Sequence, residues 1–131
     1  MKKTMEINIR VRYGETDKMG VVYHANYANY LEVARVEWLR NLGVSYKWME
    51  DNGVMLPVIS LNINYKNPAR YDDLLTVVVN LKKAPGVKIE FDYTILGENG
   101  VVLVEANTVL AFVNMETGKP MKCPEYILEK L

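Results

Sequence analysis

The chain has 131 residues, half of them hydrophobic, and its 16 Lys and Arg residues balance its 16 Asp and Glu residues. This length is enough for one compact domain over residues 1–131 and too short for two. The balanced charge gives no basis for binding nucleic acid or an anionic membrane surface. No apolar run approaches the ~20 residues that a membrane span needs, and the start of the chain lacks the pattern of a signal peptide. A cytoplasmic location is therefore expected.

The first part of the chain predicts a strand followed by a polar loop. Apolar and polar side chains alternate over residues 4–13, which is typical of a half-buried strand. Residues 14–25 are polar and contain glycine, as expected of a loop.

A long amphipathic helix is predicted over residues 27–42. Its apolar side chains recur three or four positions apart and therefore share one face. Glu32 and Arg35 are expected on the other side, where they can pair with each other. Asn26 is predicted as the N-cap and Gly43 as the residue just past the C-terminus of the helix. The predicted apolar face comprises Tyr27, Tyr30, Leu31, Ala34, Trp38 and Leu42.

Beyond the long helix, the sequence predicts a short helix and four more strands. Ser45 can cap a second helix, which Asn52 and Gly53 would end. Four alternating or β-branched segments separated by turn residues then predict a meander of antiparallel strands. Pro124 is expected to begin a short C-terminal helix. The four strand segments span residues 58–66, 74–82, 87–95 and 101–114.

This order of elements indicates the α+β class. One face of an antiparallel sheet must be covered, and only the long helix carries an apolar stripe large enough to cover it. The expected architecture is one five-stranded antiparallel sheet wrapped around one long central helix.

The residue inventory argues against several kinds of active site. With one histidine and one cysteine, neither a His/Cys metal site nor an internal disulfide is expected. The chain has no G-x-S-x-G nucleophile elbow, no Walker phosphate loop and no dinucleotide fingerprint. Cys123 lies beside Pro124, and nothing around it suggests the electropositive niche of a reactive thiol.

Asp17 and His24 are the candidate catalytic residues. Asp17 lies a few residues before the start of the long helix, and His24 lies almost at that start. Unpaired backbone N–H groups and the positive end of the helix dipole point into this space, and a carboxylate facing such donors is one way to build an acyl-transfer site. The alternative is structural. Asp17 could bond nearby N–H groups as an ordinary turn residue, and His24 could pack or bond a carbonyl.

The string YGETDKMGVVYHANY, which runs into a helix containing ARVEWLR, resembles a known family. It is similar to the 4-hydroxybenzoyl-CoA thioesterase branch of the hot-dog fold superfamily and, more narrowly, to bacterial acyl-CoA thioesterases of the Tol-Pal-associated type. The similarity is strongest over residues 10–43. It implies a hot-dog fold, assembly as a homodimer or homotetramer, and acyl-CoA bound at the dimer interface.

The resemblance also implies the chemistry and the residues that perform it. The reaction would be hydrolysis of acyl-CoA to a free acid and CoA, with no cofactor. The family's catalytic carboxylate falls on Asp17, which would act as general base or nucleophile. The backbone N–H that polarises the thioester carbonyl falls on His24.

The candidate substrate-binding residues are three tyrosines and three lysines. The tyrosines flank the catalytic loop, and they either pack in the core or line the acyl pocket. The family tends to place basic residues near the turn between the third and fourth strands, where they could contact the phosphates of CoA. These candidates are Tyr13, Tyr23, Tyr27, Lys82, Lys83 and Lys88.

Two other functions stay open at this point. A hot-dog hydratase or dehydratase would use His24 with a carboxylate from a partner chain. A module that binds acyl-CoA without turnover would keep the fold and needs no catalytic carboxylate. The sequence leaves open whether the acyl group is aliphatic or aromatic.

Overall fold

The computed structural model describes residues 3–131 and contains three α-helices and seven strands in that range. A single 3₁₀ turn, Tyr13–Glu15, lies in the loop before the long helix. No helix within the described residues is both long and apolar enough to cross a membrane. In chain order the elements are β1 (Thr4–Arg10), α1 (Asn26–Asn41), α2 (Tyr46–Asp51), β2 (Val54–Met55), β3 (Val58–Tyr65), β4 (Leu74–Leu81), β5 (Lys88–Leu96), β6 (Val102–Ala111), β7 (Val113–Asn114) and α3 (Glu125–Leu128).

Five strands form one antiparallel sheet in the order β1-β4-β5-β6-β3, and the sheet covers α1. This confirms the predicted architecture. The predicted meander is correct for β4, β5 and β6 but wrong for β3, which pairs with β6 at the edge of the sheet. The reason is that β1 and β5 already occupy both edges of β4. Residues 66–73 therefore form a crossing connection and not a hairpin.

The core lies between α1 and the inner face of the sheet. All six residues of the predicted apolar helix face are buried, as expected. The indole of Trp38 packs edge-to-face on Phe91 with ring centroids 4.9 Å apart, and its Nε1–H donates to the Lys3 carbonyl at 3.0 Å. Strand β5 alternates buried and half-buried residues, so its inner side chains pack against the helix.

The two ends of α1 differ in how well the sequence predicts them. Gly43 follows the helix with a φ of +87°, and its N–H bonds the Arg40 carbonyl while the Val44 N–H bonds the Leu39 carbonyl. These two bonds form a Schellman motif and confirm the predicted end. The predicted N-cap is wrong, because Asn26 is the first residue inside the helix and Ala25 precedes it.

Arg35 is buried, contrary to the prediction that it lies on the exposed side of α1. It does not pair with Glu32. Its Nη1 donates to the Tyr93 hydroxyl at 3.3 Å, and that hydroxyl lies 2.6 Å from the hydroxyl of Thr108. Arg35 follows Leu31 by one helical turn, and this side of the helix faces β5 and β6. The polar groups of those two strands give the guanidinium a partner inside the core.

This buried network leads to a stability prediction. Tyr93→Phe leaves Arg35 and Thr108 without their shared partner, and we expect it to lower the free energy of unfolding by about 1–3 kcal/mol. The control is Tyr126→Phe, because the Tyr126 hydroxyl is buried and has no hydrogen-bond partner within residues 3–131. That change should be neutral or stabilising. Urea unfolding at one protein concentration gives the free energy of unfolding of both variants. Equal losses in Tyr93→Phe and Tyr126→Phe would show that the buried network does not stabilise the fold.

Candidate functional site

Residues 66–73 cross the N-terminal end of α1 and form a cleft there. The Val22 N–H donates to the Ala69 carbonyl at 2.8 Å, and the Ala69 N–H donates to the Tyr27 hydroxyl at 3.3 Å. These bonds fix residues 66–73 against the loop of residues 14–25 and the helix start. The cleft has a volume of about 310 Å³, and its walls include Val21, His24, Tyr27, Tyr65, Lys66 and Pro68.

Asp17 lies on a tight turn beside this cleft but is not one of its lining residues. Its N–H donates to the Val21 carbonyl at 2.8 Å, and its carbonyl accepts the Gly20 N–H at 2.9 Å. Gly20 has a φ of +83°, which glycine adopts without strain. The carboxylate is half-buried, and its Oδ1 accepts the Met19 N–H at 2.8 Å. Asp17 therefore bonds the backbone of its own turn, and this hydrogen bond occupies one of the two carboxylate oxygens.

His24 offers a free backbone donor at the start of α1. Its N–H donates to no acceptor within residues 3–131, while its carbonyl accepts the Tyr65 hydroxyl at 3.1 Å. The imidazole is exposed and packs on the ring of Tyr23, with centroids 4.4 Å apart. A backbone N–H that points away from its own helix can bind an oxygen atom of a ligand.

Glu15 joins the loop of residues 14–25 to α1, a role that the sequence did not reveal. Its carboxylate accepts the Tyr30 hydroxyl at 2.9 Å, the Arg12 N–H at 2.8 Å and the Arg12 guanidinium at 2.7 Å. Its carbonyl accepts the Tyr23 N–H at 2.9 Å and the Asn26 side-chain amide at 2.8 Å. This last bond explains why Asn26 does not cap the helix. The only local signal was a glutamate three residues after an arginine, the spacing of a capping box.

Glu15 should make stability depend on pH. Burial raises the pKa of its carboxyl group, but the hydrogen bonds from Arg12 and Tyr30 and the charge of Arg12 outweigh burial and lower the pKa below its ordinary value. A lowered pKa in the folded state stabilises the fold above the unfolded-state pKa, and this contribution disappears as the pH falls through the folded-state value. We expect Glu15→Gln to lower the free energy of unfolding at pH 7 and to have a smaller effect near pH 3.

Urea unfolding of the wild type and the variant at both pH values tests this expectation. Glu129→Gln, at an exposed position, is the control and should change stability little at either pH. A loss for Glu15→Gln that is the same at pH 7 and pH 3 would show that the charge of Glu15 does not matter.

Comparison with known proteins gives the family of the chain. The family described as the Thioesterase-like superfamily matches residues 11–131. The chain belongs to this superfamily. A DHNA-CoA thioesterase from Staphylococcus aureus of known structure is 36% identical in sequence to this chain. The two structures align with a TM-score of 0.90, and the alignment covers 96% of this chain and 85% of the S. aureus chain.

Two curated relatives have similar lengths. The acyl-CoA thioesterase YbgC of Haemophilus influenzae is 34% identical over 91% of this chain and 88% of its own. The long-chain acyl-CoA thioesterase FadM of Escherichia coli K12 is 31% identical over 97% of this chain and 96% of its own. The hot-dog fold and the membership in a thioesterase superfamily that the motif predicted are confirmed.

The three tyrosines that were predicted to bind substrate have different environments in the structure. Tyr27 is buried and also lines the cleft. Tyr23 is 47% exposed, and Tyr13 is 78% exposed with its ring edge-on to Tyr71 at 5.6 Å. Core packing is therefore correct for Tyr27 and wrong for the other two. Of the predicted site residues, the structure brings Tyr23, Tyr27 and His24 together at the helix start.

The three predicted lysines lie away from the cleft of the same chain. The Nζ atoms of Lys82 and Lys83 are 3.5 Å and 3.9 Å from the carboxylate of Glu90. Glu90 and Lys88 alternate along β5 with buried Ile89, so they occupy the sheet face that points away from α1. Within this chain, the structure does not bring these lysines to Asp17 or His24.

Other polar groups bear on the chemistry of the site. Tyr65 and Lys66 line the cleft, and the sequence placed Tyr65 only in a strand. Cys123 is buried, and burial, aided by the negative charge of Glu125, raises the pKa of its thiol to about 12. A thiol with that pKa is a poor nucleophile at neutral pH. Within the described part of the chain, no three His, Cys, Asp or Glu side chains group as metal ligands would.

Proposed function

We propose that this protein hydrolyses an acyl-CoA thioester to a free carboxylic acid and CoA. Asp17 acts as general base or nucleophile, and the backbone N–H of His24 polarises the thioester carbonyl. The observation that carries the proposal is the His24 N–H, which is unbonded within residues 3–131 at the start of α1. It lies just after the turn that holds the Asp17 carboxylate. Membership in the thioesterase family supports the same reaction.

The reaction needs few protein groups. The thiol of CoA has a pKa of roughly 8.5, similar to that of free cysteine, so the thiolate leaves without much help from a general acid. As a base, Asp17 removes a proton from the water that attacks the carbonyl. As a nucleophile, it forms a mixed anhydride that water then cleaves. In both routes the negative charge that develops on the carbonyl oxygen is stabilised by the His24 N–H.

The protein is proposed to act as a homodimer with the site at the dimer interface, and two dimers can form a tetramer. Support comes from β3, which lies at the sheet edge and leaves four large apolar side chains about half exposed. An exposed apolar edge strand favours pairing with another strand. A second chain at this edge would add its own residues to the cleft beside Tyr65. The four exposed side chains are Val58, Ile59, Leu61 and Tyr65.

Finer assignments follow from the YGETDKMGVVYHANY motif. Within the family, we assign the chain to the 4-hydroxybenzoyl-CoA and Tol-Pal-associated branch, acting as one domain in the cytoplasm. Lys82, Lys83 and Lys88 lie apart from the cleft of their own chain. They would therefore contact the phosphates of a CoA that is bound in the cleft of the partner chain. Analytical ultracentrifugation tests the assembly, and a 15.0 kDa species at micromolar concentration would contradict it.

The direct test of function is the release of free thiol from a panel of short aliphatic, long aliphatic and aromatic acyl-CoAs. We expect steady-state turnover, and the preferred substrate identifies the acyl class. Tight binding of CoA esters without release of thiol would instead favour a binding module. Addition of water to an enoyl-CoA without release of thiol would favour a hydratase.

A further inference from the structure

Tyr65 links the edge strand of the sheet to the start of α1. It is the last residue of β3, and its hydroxyl donates to the His24 carbonyl at 3.1 Å. Its ring packs edge-on to Tyr27, with centroids 5.5 Å apart, and edge-on to the His24 ring at 6.5 Å. Tyr65 is 51% exposed, so its ring also forms part of the cleft surface.

The torsion angles of His24 join two peptide planes, and each plane is held by hydrogen bonds. The plane before His24 contains the His24 N–H, and its Tyr23 carbonyl accepts the Asn26 N–H at 2.9 Å. The plane after His24 contains the His24 carbonyl, which accepts the Tyr65 hydroxyl. The other bond to this carbonyl, from the Tyr27 N–H, is longer at 3.4 Å. Tyr65 therefore makes the shorter of the two bonds that orient the second plane.

We infer that Tyr65 is a positioning residue. It holds the peptide plane after His24 and so helps to fix the torsion angles of His24 that aim the His24 N–H at the thioester carbonyl. This inference rests on the proposed function. The Tyr65 hydroxyl need not touch the substrate. Its effect acts through the His24 carbonyl, and a donor that is aimed in advance stabilises developing charge better than one that must reorient.

The location of Tyr65 on β3 gives this bond a second consequence. The edge of β3 is where a partner chain is proposed to pair. Pairing would order the strand that carries Tyr65 and would thereby help to fix the donor at the start of α1. The bond thus connects the proposed interface to the proposed carbonyl site.

The test is Tyr65→Phe, which keeps the ring and removes only the hydroxyl. We expect kcat for thiol release to fall about tenfold, as for the loss of one hydrogen bond, with KM changed less than about twofold. The inhibition constant of an S-alkyl-CoA thioether, which lacks the carbonyl, should stay unchanged. The control is Tyr126→Phe, far from the cleft, which should keep the wild-type kcat.

The outcomes separate this inference from the proposed function. No thiol release by the wild type overturns the proposed function and the inference together. A wild-type kcat in Tyr65→Phe, while the wild type is active, overturns the inference alone. Weaker binding of the thioether in Tyr65→Phe would also overturn it, because Tyr65 would then act as a wall of the binding cleft.

Discussion

Asp17→Asn should lower kcat for thiol release by at least ~100-fold, which corresponds to about 2.7 kcal/mol of activation free energy. An amide neither removes a proton from water nor attacks a thioester at a useful rate. The fold should be preserved, because the amide oxygen of asparagine can still accept the Met19 N–H that Asp17 Oδ1 accepts. The loss should therefore appear in catalysis and not in stability. Steady-state kinetics with the preferred acyl-CoA and urea unfolding of the same samples measure both.

Asp72→Asn is the matched control for this experiment. Asp72 is exposed on another turn and has a φ of +67°, a conformation that asparagine tolerates well. Asp72 lies near the end of residues 66–73 and does not line the cleft, so this substitution makes the same change of charge and should retain activity. If Asp17→Asn retained more than a tenth of the wild-type kcat, the turn role of Asp17 would be the correct one, and another group would have to activate the nucleophile.

The parts of the molecule that the sequence predicts well depend on local patterns. The spacing of apolar residues in α1 identified its buried face, and Gly43 marked its end, because both features are set within a few turns of one helix. The loop containing Asp17 and His24 was likewise recognisable from contiguous residues. These two residues stand within one short segment, so the sequence could propose them as a candidate site without any knowledge of the sheet.

The parts that the sequence did not predict depend on contacts between distant residues. Tyr65 reaches the helix start across 41 positions of sequence, and no local spacing reveals that contact. The pairing of β3 with β6 is also non-local, since it requires that β1 take the edge of β4.

The burial of Arg35 and Glu15 was also beyond what the sequence pattern could predict. Both are charged, and their sequence positions suggest exposed residues. The structure buries most of each side chain because hydroxyl groups from other elements, Tyr93 and Tyr30, supply partners. Burial of a charged group depends on its partners, and partners that lie far away in sequence cannot be read from a periodic pattern.

Trp38→Ala should cause the largest loss of stability among single substitutions in α1, about 3–5 kcal/mol. Trp38 is 2% exposed, and removal of its indole leaves a cavity against Phe91 and breaks the bond to the Lys3 carbonyl. Since domains of this size unfold with about 5–15 kcal/mol, the variant would retain only a fraction of its stability. Urea unfolding followed by circular dichroism gives the loss, at a fixed protein concentration because assembly would shift the midpoint.

The second tryptophan provides the control for this prediction. Trp48 is 48% exposed and contacts Tyr126 at a centroid distance of 5.0 Å, so Trp48→Ala should cost less than about 1.5 kcal/mol. Equal losses for the two variants would mean that α1 does not depend on the packing of Trp38. Trp38 lies about 18 Å along the helix from Asn26, at 1.5 Å per residue. Below its unfolding transition, Trp38→Ala should therefore keep kcat, because the core position stabilises the helix while the site depends on the contacts at its first turn.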